Sequence, residues 1–253
     1  MTDILLCGCL GVMGKMITEC SLSERFSDKL RITAGVDVKD GSNEKYPVYK
    51  SVNDVDLPVD VIIDFSHPSL LSDVTSYAIN NAVPVVLATT GYNAEQKKII
   101  ENASKKIPIF FSPNMSFGVN LVADLVKKAA AALGEYYDVE IIEKHHNRKL
   151  DAPSGTALML ADAVTEAENR PMQCVYDRHS ERRKRTTSEI GIHSIRGGTI
   201  VGEHDVIFAG EDEVITISHS AGSRKIFAIG AMKAAVFISD KPAGLYTMHD
   251  MIQ

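Results

Sequence analysis

Asp3-Ile-Leu-Leu-Cys7, running straight into Gly8-Cys-Leu-Gly11-Val-Met-Gly14, is the stretch that decides the fold. The first five residues form an apolar run of strand length, and residues 15–24 continue with helical periodicity. Between them lie glycines at every third position. Such a turn lets the backbone come close to a pyrophosphate, and the helix start offers N–H groups and a positive dipole end to the anion. Gly8, Gly11 and Gly14, with Val12 and Met13 between them, are therefore candidate dinucleotide contacts. Leu10 stands where the stricter Gly-x-Gly-x-x-Gly form has glycine. The alternative is a purely structural turn with glycines at positive φ.

Working outward, residues 30–36, 59–64, 84–88 and 108–111 read as further strands, and 68–80 and 94–105 as helices. Short apolar strands alternating with amphipathic helices predict a parallel sheet covered on both faces. Residues 39–53 read as a polar loop. After 116 the pattern changes. A long helix over 119–133, a strand over 137–143 and a helix over 154–167 precede three strands at 190–195, 199–209 and 213–220. With no helix between those three, antiparallel pairing is expected. An apolar helix at 227–238 closes the pattern. The fold class is α/β: a Rossmann-like doubly wound parallel sheet over 1–116, then a second α+β domain over 117–224 with a mixed or antiparallel sheet.

Composition narrows the function. The chain has 253 residues, with 27 Lys and Arg against 33 Asp and Glu, a net charge of −6, and 45% hydrophobic residues. This is globular composition rather than disorder, and the acidic balance argues against a general nucleic-acid binder. No apolar run reaches the ~20 residues that span a bilayer. Cys7, Cys9, Cys20 and Cys174 show no metal-finger spacing. Cys7 and Cys9, two apart, are expected on one face of a strand as buried thiols. With no secretory signal at the start, a cytoplasmic location is expected.

Loops beyond the carboxyl ends of strands are where open α/β sheets bind ligands. Asp37, 23 residues after Gly14, lies at such an end, where an acid accepts from ribose hydroxyls. It favours NADH, whereas Lys39 would admit the 2′-phosphate of NADPH. Ala88-Thr89-Thr90-Gly91 and Ser112-Pro113-Asn114-Met115 follow the next strands and are placed near a nicotinamide, with plain turn chemistry as the alternative.

The second candidate site is Glu143-Lys-His145-His146-Asn-Arg-Lys149-Leu-Asp-Ala-Pro-Ser154-Gly155-Thr156-Ala. The backbone N–H groups of Ser154, Gly155 and Thr156 open a helix and make an anion seat. Lys149 suits a carboxylate, and histidine exchanges protons near neutrality. Adjacent on a strand, His145 and His146 point oppositely and need not share a role. A neighbouring lysine and the lack of further ligands argue against a metal.

Taken together, these segments resemble the 4-hydroxy-tetrahydrodipicolinate reductase (dihydrodipicolinate reductase) family of lysine and diaminopimelate biosynthesis, from end to end. Gly8-x-x-Gly11-x-Met13-Gly14 is similar to its cofactor turn, and Ala88-Thr-Thr-Gly91 to its Gly-Thr-Thr-Gly segment. His145-His146-x-x-Lys149-x-Asp151-Ala-Pro-Ser-Gly155-Thr156-Ala resembles its signature. Arg196-Gly-Gly-x-Ile-Val-Gly-Glu-His204 and His219-x-Ala-x-Ser223-Arg224 are also similar to family segments. The resemblance implies NADH or NADPH as cofactor, a cyclic dicarboxylate as substrate, and a homotetramer. It implies His145 as general acid and Lys149 as its catalytic partner and carboxylate anchor. His146 and the Gly155–Thr156 backbone would grip the substrate. It also implies that residues 225–253 return to the first domain. Val12 and Val38 stand where some relatives carry arginine, which bears on cofactor preference and not on the reaction.

Two rivals are weighed. One is an amino-acid or sugar dehydrogenase of the same plan, which lacks the His-His…Lys…Ser-Gly-Thr run. The other is a dinucleotide-sensing regulator, which needs a DNA-reading element. The basic tract 178–185 is its one candidate, with a solvated, partly mobile loop as the plainer reading. A closing hinge is expected near 114–118 and 223–225. His67 is expected beside the adenosine or in a plain loop. His179, His193, His204, His219 and His249 are expected to serve structural hydrogen bonds.

Overall fold

Alternation along the first strand, β1 (Thr2–Cys7), explains the architecture of the first half. Ile4 and Leu6 point to one side, Leu5 and Cys7 to the other, and all four are buried. Such a strand needs cover on both faces. The structure is a computed structural model that describes residues 1–168, 170–179 and 182–252. It divides into two compact units, Met1–Phe117 with Lys225–Gln253, and Gly118–Arg224.

In the first unit β1 is joined by β2 (Leu30–Val36), β3 (Val48–Tyr49), β4 (Val61–Asp64), β5 (Val85–Leu87) and β6 (Pro108–Phe111). Helix α1 (Val12–Ser21) covers one face, and α2 (Leu71–Asn81) and α3 (Ala94–Ser104) the other. The next segments in chain order belong to the second unit: α4 (Phe117–Leu133), β7 (Asp138–His145), α5 (Gly155–Ala167), β8 (Gln173–Val175), β9 (Glu189–Arg196), β10 (Glu203–Ala209) and β11 (Val214–Ser220). The chain then returns to the first unit as α6 (Lys225–Ile238), β12 (Gly244–Tyr246) and α7 (Met248–Ile252). Helix α6 is rich in small residues. Ala228, Ala231, Ala234 and Ala235 bring it close against the sheet beside α1.

The first sheet is parallel throughout, in the order β12-β6-β5-β4-β1-β2-β3. The strand order reverses at β1 and β4, which puts a crevice beyond their carboxyl ends. Two strands lie where the sequence predicts none. The polar loop 39–53 contains β3, and β12 adds an edge; both are too short to show a period.

The second sheet runs β11-β10-β7-β9-β8. The expectation of three successive antiparallel strands is corrected here. β10 pairs antiparallel with β11 and β7, but β9 lies parallel to β7 on its other side. The segment after α5 crosses over, so β7, not β9, is the neighbour of β10. Cys7 and Cys9 also depart from expectation. Gly8 turns the chain at φ +78°, which breaks the alternation, and the two thiols pack in opposite cores. All four cysteines are free, and burial pushes the Cys9 thiol up to about 11.

Candidate active site

The glycine turn is sterically specified. A Cβ on Gly8 would lie 2.5 Å from the Phe65 carbonyl oxygen, and one on Gly14 would lie 2.3 Å from the Gly8 oxygen. The turn thus packs on the end of β4, and α1 starts directly against it. Its N-cap is Gly11, with no side-chain cap. Asp37, buried at the end of β2, ties the crevice together. Leu10 N–H donates to its Oδ2 at 2.9 Å and Lys39 N–H to its Oδ1 at 3.0 Å. Gly8, Gly11, Asp37, Lys39, Ser66 and His67 line a cavity of about 180 Å³ at this end of the sheet. A cradle that only glycine fits, beside an acid held by backbone donors, suits the pyrophosphate and ribose of a dinucleotide.

The other cofactor candidates fall into two groups. The side chains of Ala88 and Met115 are buried in the core, so these two offer backbone only, and that of half-buried Met13 packs against it. Val12, Thr90 and Pro113 are exposed. Thr89 Oγ1 donates to Asp64 Oδ2 at 3.0 Å. Ser112 Oγ donates to the Asn114 carbonyl at 2.7 Å, and Ser116 N–H donates to Asn114 Oδ1 at 2.9 Å, which fixes that loop.

The second unit brings together more than the sequence predicts. On β7 the buried positions alternate Val139, Ile141, Glu143, His145. An apolar stripe under α5 turns polar at its last two members. In register, His204 on β10 lies opposite Glu143, and Arg196 on β9 beside His145. Helix α5 packs on this face of β7 and β10, with Ser154 as its N-cap.

Glu143, fully buried, is the hub. Arg196 donates to it through Nη1 at 2.7 Å and Nη2 at 2.6 Å, and Ser154 N–H donates to Oε1 at 3.1 Å. Burial pushes this carboxyl up, but Arg196, with Ser194 and His145, outweighs that and holds it at about 2. Its Oε2 lies 2.6 Å from His145 Nδ1. An ionised carboxylate can only accept, so Nδ1 carries the proton. Burial lowers the pKa of His145 while Glu143 raises it; Lys149 and Arg196 lower it further. His204 meets the His145 ring edge-on at 5.2 Å, and burial followed by His145 holds it down at about 4. Lys149 Nζ lies 2.8 Å from Asp151 Oδ1.

Ser154 is a correction. Its N–H goes to Glu143, and its Oγ accepts from Ala157 N–H at 3.2 Å and meets His204 Nε2 at 3.0 Å. It braces the site from inside, and its N–H, expected to seat an anion with those of Gly155 and Thr156, is engaged by Glu143. Space is open at Gly155, where a Cβ would meet no described atom within 4 Å. His146 lies just past the end of β7 and is half-buried, and its buried Nδ1 has no hydrogen-bond partner among the described residues. Sequence reasoning missed Glu143 and Arg196 as members of the cluster. The signal for Glu143 is its place two residues before His145 on a strand; Arg196 has none without the sheet order. His204 makes a hydrogen bond, as expected, but within this cluster.

In the basic tract, Arg185 binds Asp138 and Glu140, Arg178 binds Glu140 and Glu189, and Arg183 binds Glu189. These guanidiniums pair with strand carboxylates, while His179, Arg182, Arg183 and Lys184 are exposed, as a solvated loop would have them; Ser180 and Glu181 lie outside the described residues. No group of three or more metal-ligating side chains occurs among the described residues, nor is any described helix long and apolar enough to cross a membrane.

A doubly wound sheet with a glycine cradle, and a second unit holding a buried imidazole–carboxylate pair beside a lysine, define a two-domain nicotinamide-dependent oxidoreductase. Comparison narrows the class. Residues 2–115 match the sequence profile of the dihydrodipicolinate reductase N-terminus, and residues 118–252 that of its C-terminus. The chain is 49% identical over its whole length to the 4-hydroxy-tetrahydrodipicolinate reductase of Clostridium tetani, covering 97% of that protein. It is 48% identical over its whole length to that of Caldanaerobacter subterraneus subsp. tengcongensis, covering 99%. Dipicolinate-bound dihydrodipicolinate reductase from Paenisporosarcina sp. TG-14 superposes with a TM-score of 0.82 at 25% identity, each chain fully covered. Amine dehydrogenase from Mycobacterium smegmatis shares the fold, with a TM-score of 0.64 at 9% identity. The chain belongs to the dihydrodipicolinate reductase family.

Proposed function

We propose that this chain reduces 4-hydroxy-tetrahydrodipicolinate, by way of dihydrodipicolinate, to tetrahydrodipicolinate in lysine and diaminopimelate biosynthesis. The observation that carries this reading is the buried Glu143–His145 pair beside Lys149 and the start of α5, in a chain of this family. The first unit takes the cofactor and the second the ring.

When bound, the reduced nicotinamide supplies the hydride that adds to ring C4. The chain's own residues do the rest. Lys149 and the Gly155–Thr156 backbone, with His146, hold the two carboxylates and orient the ring. Hydride addition leaves an enamide anion, the deprotonated enamine, its charge shared between the ring nitrogen and the carbon beside C4. Protonated His145 gives its Nε2 proton to the enamine carbon beside C4, the Nε2–H pair staying on nitrogen as the C–H bond forms. The imidazole is left neutral with its proton on Nδ1. Proton transfer of this kind contributes about 10²–10⁴-fold.

The cofactor is NADH or NADPH. Asp37 favours NADH, because its charge repels a 2′-phosphate, and Lys39 offers a counter-charge to NADPH. The working form is a cytoplasmic homotetramer, as the family likeness suggests. A coupled assay tests the reading: supply the condensation product of pyruvate and aspartate semialdehyde, and follow nicotinamide absorbance with each cofactor. Oxidation that depends on this product supports it. Oxidation only with aldehydes or keto acids overturns it in favour of a general dehydrogenase.

A further inference from the structure

We propose that Glu143 is the positioning residue of the proton donor: clamped by Arg196 and by the Ser154 N–H, it holds the imidazole of His145 by Nδ1 and leaves Nε2 to hand over the proton. This rests on the reading of His145 given above and adds a residue to it. Four observations carry it.

The first is cost. Val139 and Ile141 precede Glu143 on the same buried stripe, and a third apolar residue would continue the core. A buried ion pair rarely stabilises more than a well-packed hydrophobic replacement. Stability alone gives no reason for a fully buried carboxylate here. The second is geometry. With Nη1, Nη2 and the Ser154 N–H fixing both carboxylate oxygens, the 2.6 Å bond to Nδ1 sets the ring's orientation as well as its tautomer.

The third is access. Gly202 faces the other ring nitrogen, and a Cβ there would lie 3.1 Å from Nε2. The lack of a side chain keeps that nitrogen approachable. The fourth is charge. Lys149 and Arg196 both oppose protonation of His145, and His204 at its edge is held neutral. Glu143 is the anion that opposes them. The same carboxylate also ties the proton donor to the helix that seats the substrate, because its third donor is the α5 cap residue.

The test is Glu143→Gln in the full-length enzyme, with His145→Gln beside it. Glutamine keeps the size, but turns an NH2 group or a neutral oxygen toward Nδ1. The alkaline limb of kcat, where His145 loses its proton, is expected to move to lower pH by roughly 1–3 pH units. Cofactor KM is expected to stay within about twofold, since that site lies on other residues. Nitrogen-15 NMR of the imidazoles gives a readout independent of turnover: the neutral His145 ring is expected protonated at Nδ1 in the wild type and at Nε2 in Glu143→Gln. Should Glu143→Gln not fold, Glu143→Asp carries the test, with a smaller displacement in the same direction. An unmoved limb and an unchanged tautomer, with His145→Gln inactive, overturn the role of Glu143 and leave the function standing. Full turnover in His145→Gln overturns both.

Discussion

Replacing Arg196 by methionine should destabilise the second unit strongly, and in a pH-dependent way. Arg196 supplies two hydrogen bonds to Glu143, and its Nη2 also donates to the Asp151 carbonyl at 2.6 Å. Methionine fills similar space but offers neither charge nor donor. Glu143, with no solvent exposure, would keep neutral donors and the His145 ring but lose its guanidinium counter-charge. Breaking a buried pair in this way costs about 3–5 kcal/mol. At roughly 2–4 °C per kcal/mol for a chain of this size, the melting temperature should fall by about 6–20 °C.

The sign of the pH effect follows from Glu143. In the wild type its carboxyl is held at about 2, well below the ordinary value of a glutamate. Its contribution is therefore fully present above the unfolded value and is lost as pH falls toward 2. Without the guanidinium, burial raises the carboxyl above the unfolded value. The variant's deficit should then be largest near neutrality and shrink on acidification, as Glu143 takes up a proton. Calorimetry and circular dichroism at about pH 5 and about pH 8 read both effects. Adding Glu143→Leu to Arg196→Met should recover most of the lost stability while leaving turnover impaired. A fall of less than about 2 °C, or a deficit equal at both pH values, would falsify the account of Glu143 as a buried, arginine-dependent carboxylate.

Three other outcomes are expected. His145→Gln should lower kcat by about 10²–10⁴-fold with nicotinamide affinity unchanged, as read by turnover and by fluorescence titration of the bound reduced cofactor. Gly14→Ala puts a methyl group 2.3 Å from the Gly8 oxygen. It should cost about 1–3 kcal/mol and weaken cofactor binding much more than substrate binding, as calorimetric titration with cofactor and with dipicolinate would reveal. Asp37→Asn removes a charge beside Lys39 and leaves one oxygen for two backbone donors. The ratio of kcat/KM for NADPH over NADH should rise; an unchanged ratio places the 2′-position elsewhere.

How much of this was legible in the sequence depended on how far apart the cooperating residues lie. The β1 alternation and the glycine spacing are local, and they foretell both a two-faced sheet and a turn that a Cβ would block. The β7 stripe is local too: Glu143 and His145 share a face because they are two apart on a strand. Arg196 lies 53 residues beyond Glu143, and only the crossover that puts β9 beside β7 brings it in. The partners of the basic tract are hidden for the same reason: Asp138, Glu140 and Glu189 belong to strands whose order the chain does not announce. Short edges such as β3 and β12 hold too few residues to display any period.

The two helix starts show why one motif predicted a ligand seat less well than the other. Both were read as anion sites from the same dipole argument. At α1 the cap is Gly11, which has no side chain, and the crevice in front is lined by glycine and the buried Asp37. At α5 the cap is Ser154, which uses its hydroxyl on Ala157 and His204 and gives its own N–H to Glu143. A serine cap followed within the same sheet face by an ionised, buried glutamate turns the first donor of the helix inward. At α5 the dipole is met first by a protein carboxylate, and the proposed seat for the substrate's carboxylate falls to the next residues, Gly155 and Thr156. Glu143 bonds both to His145, the proposed proton donor, and to the cap residue of the helix that carries the proposed seat, and so ties the two together.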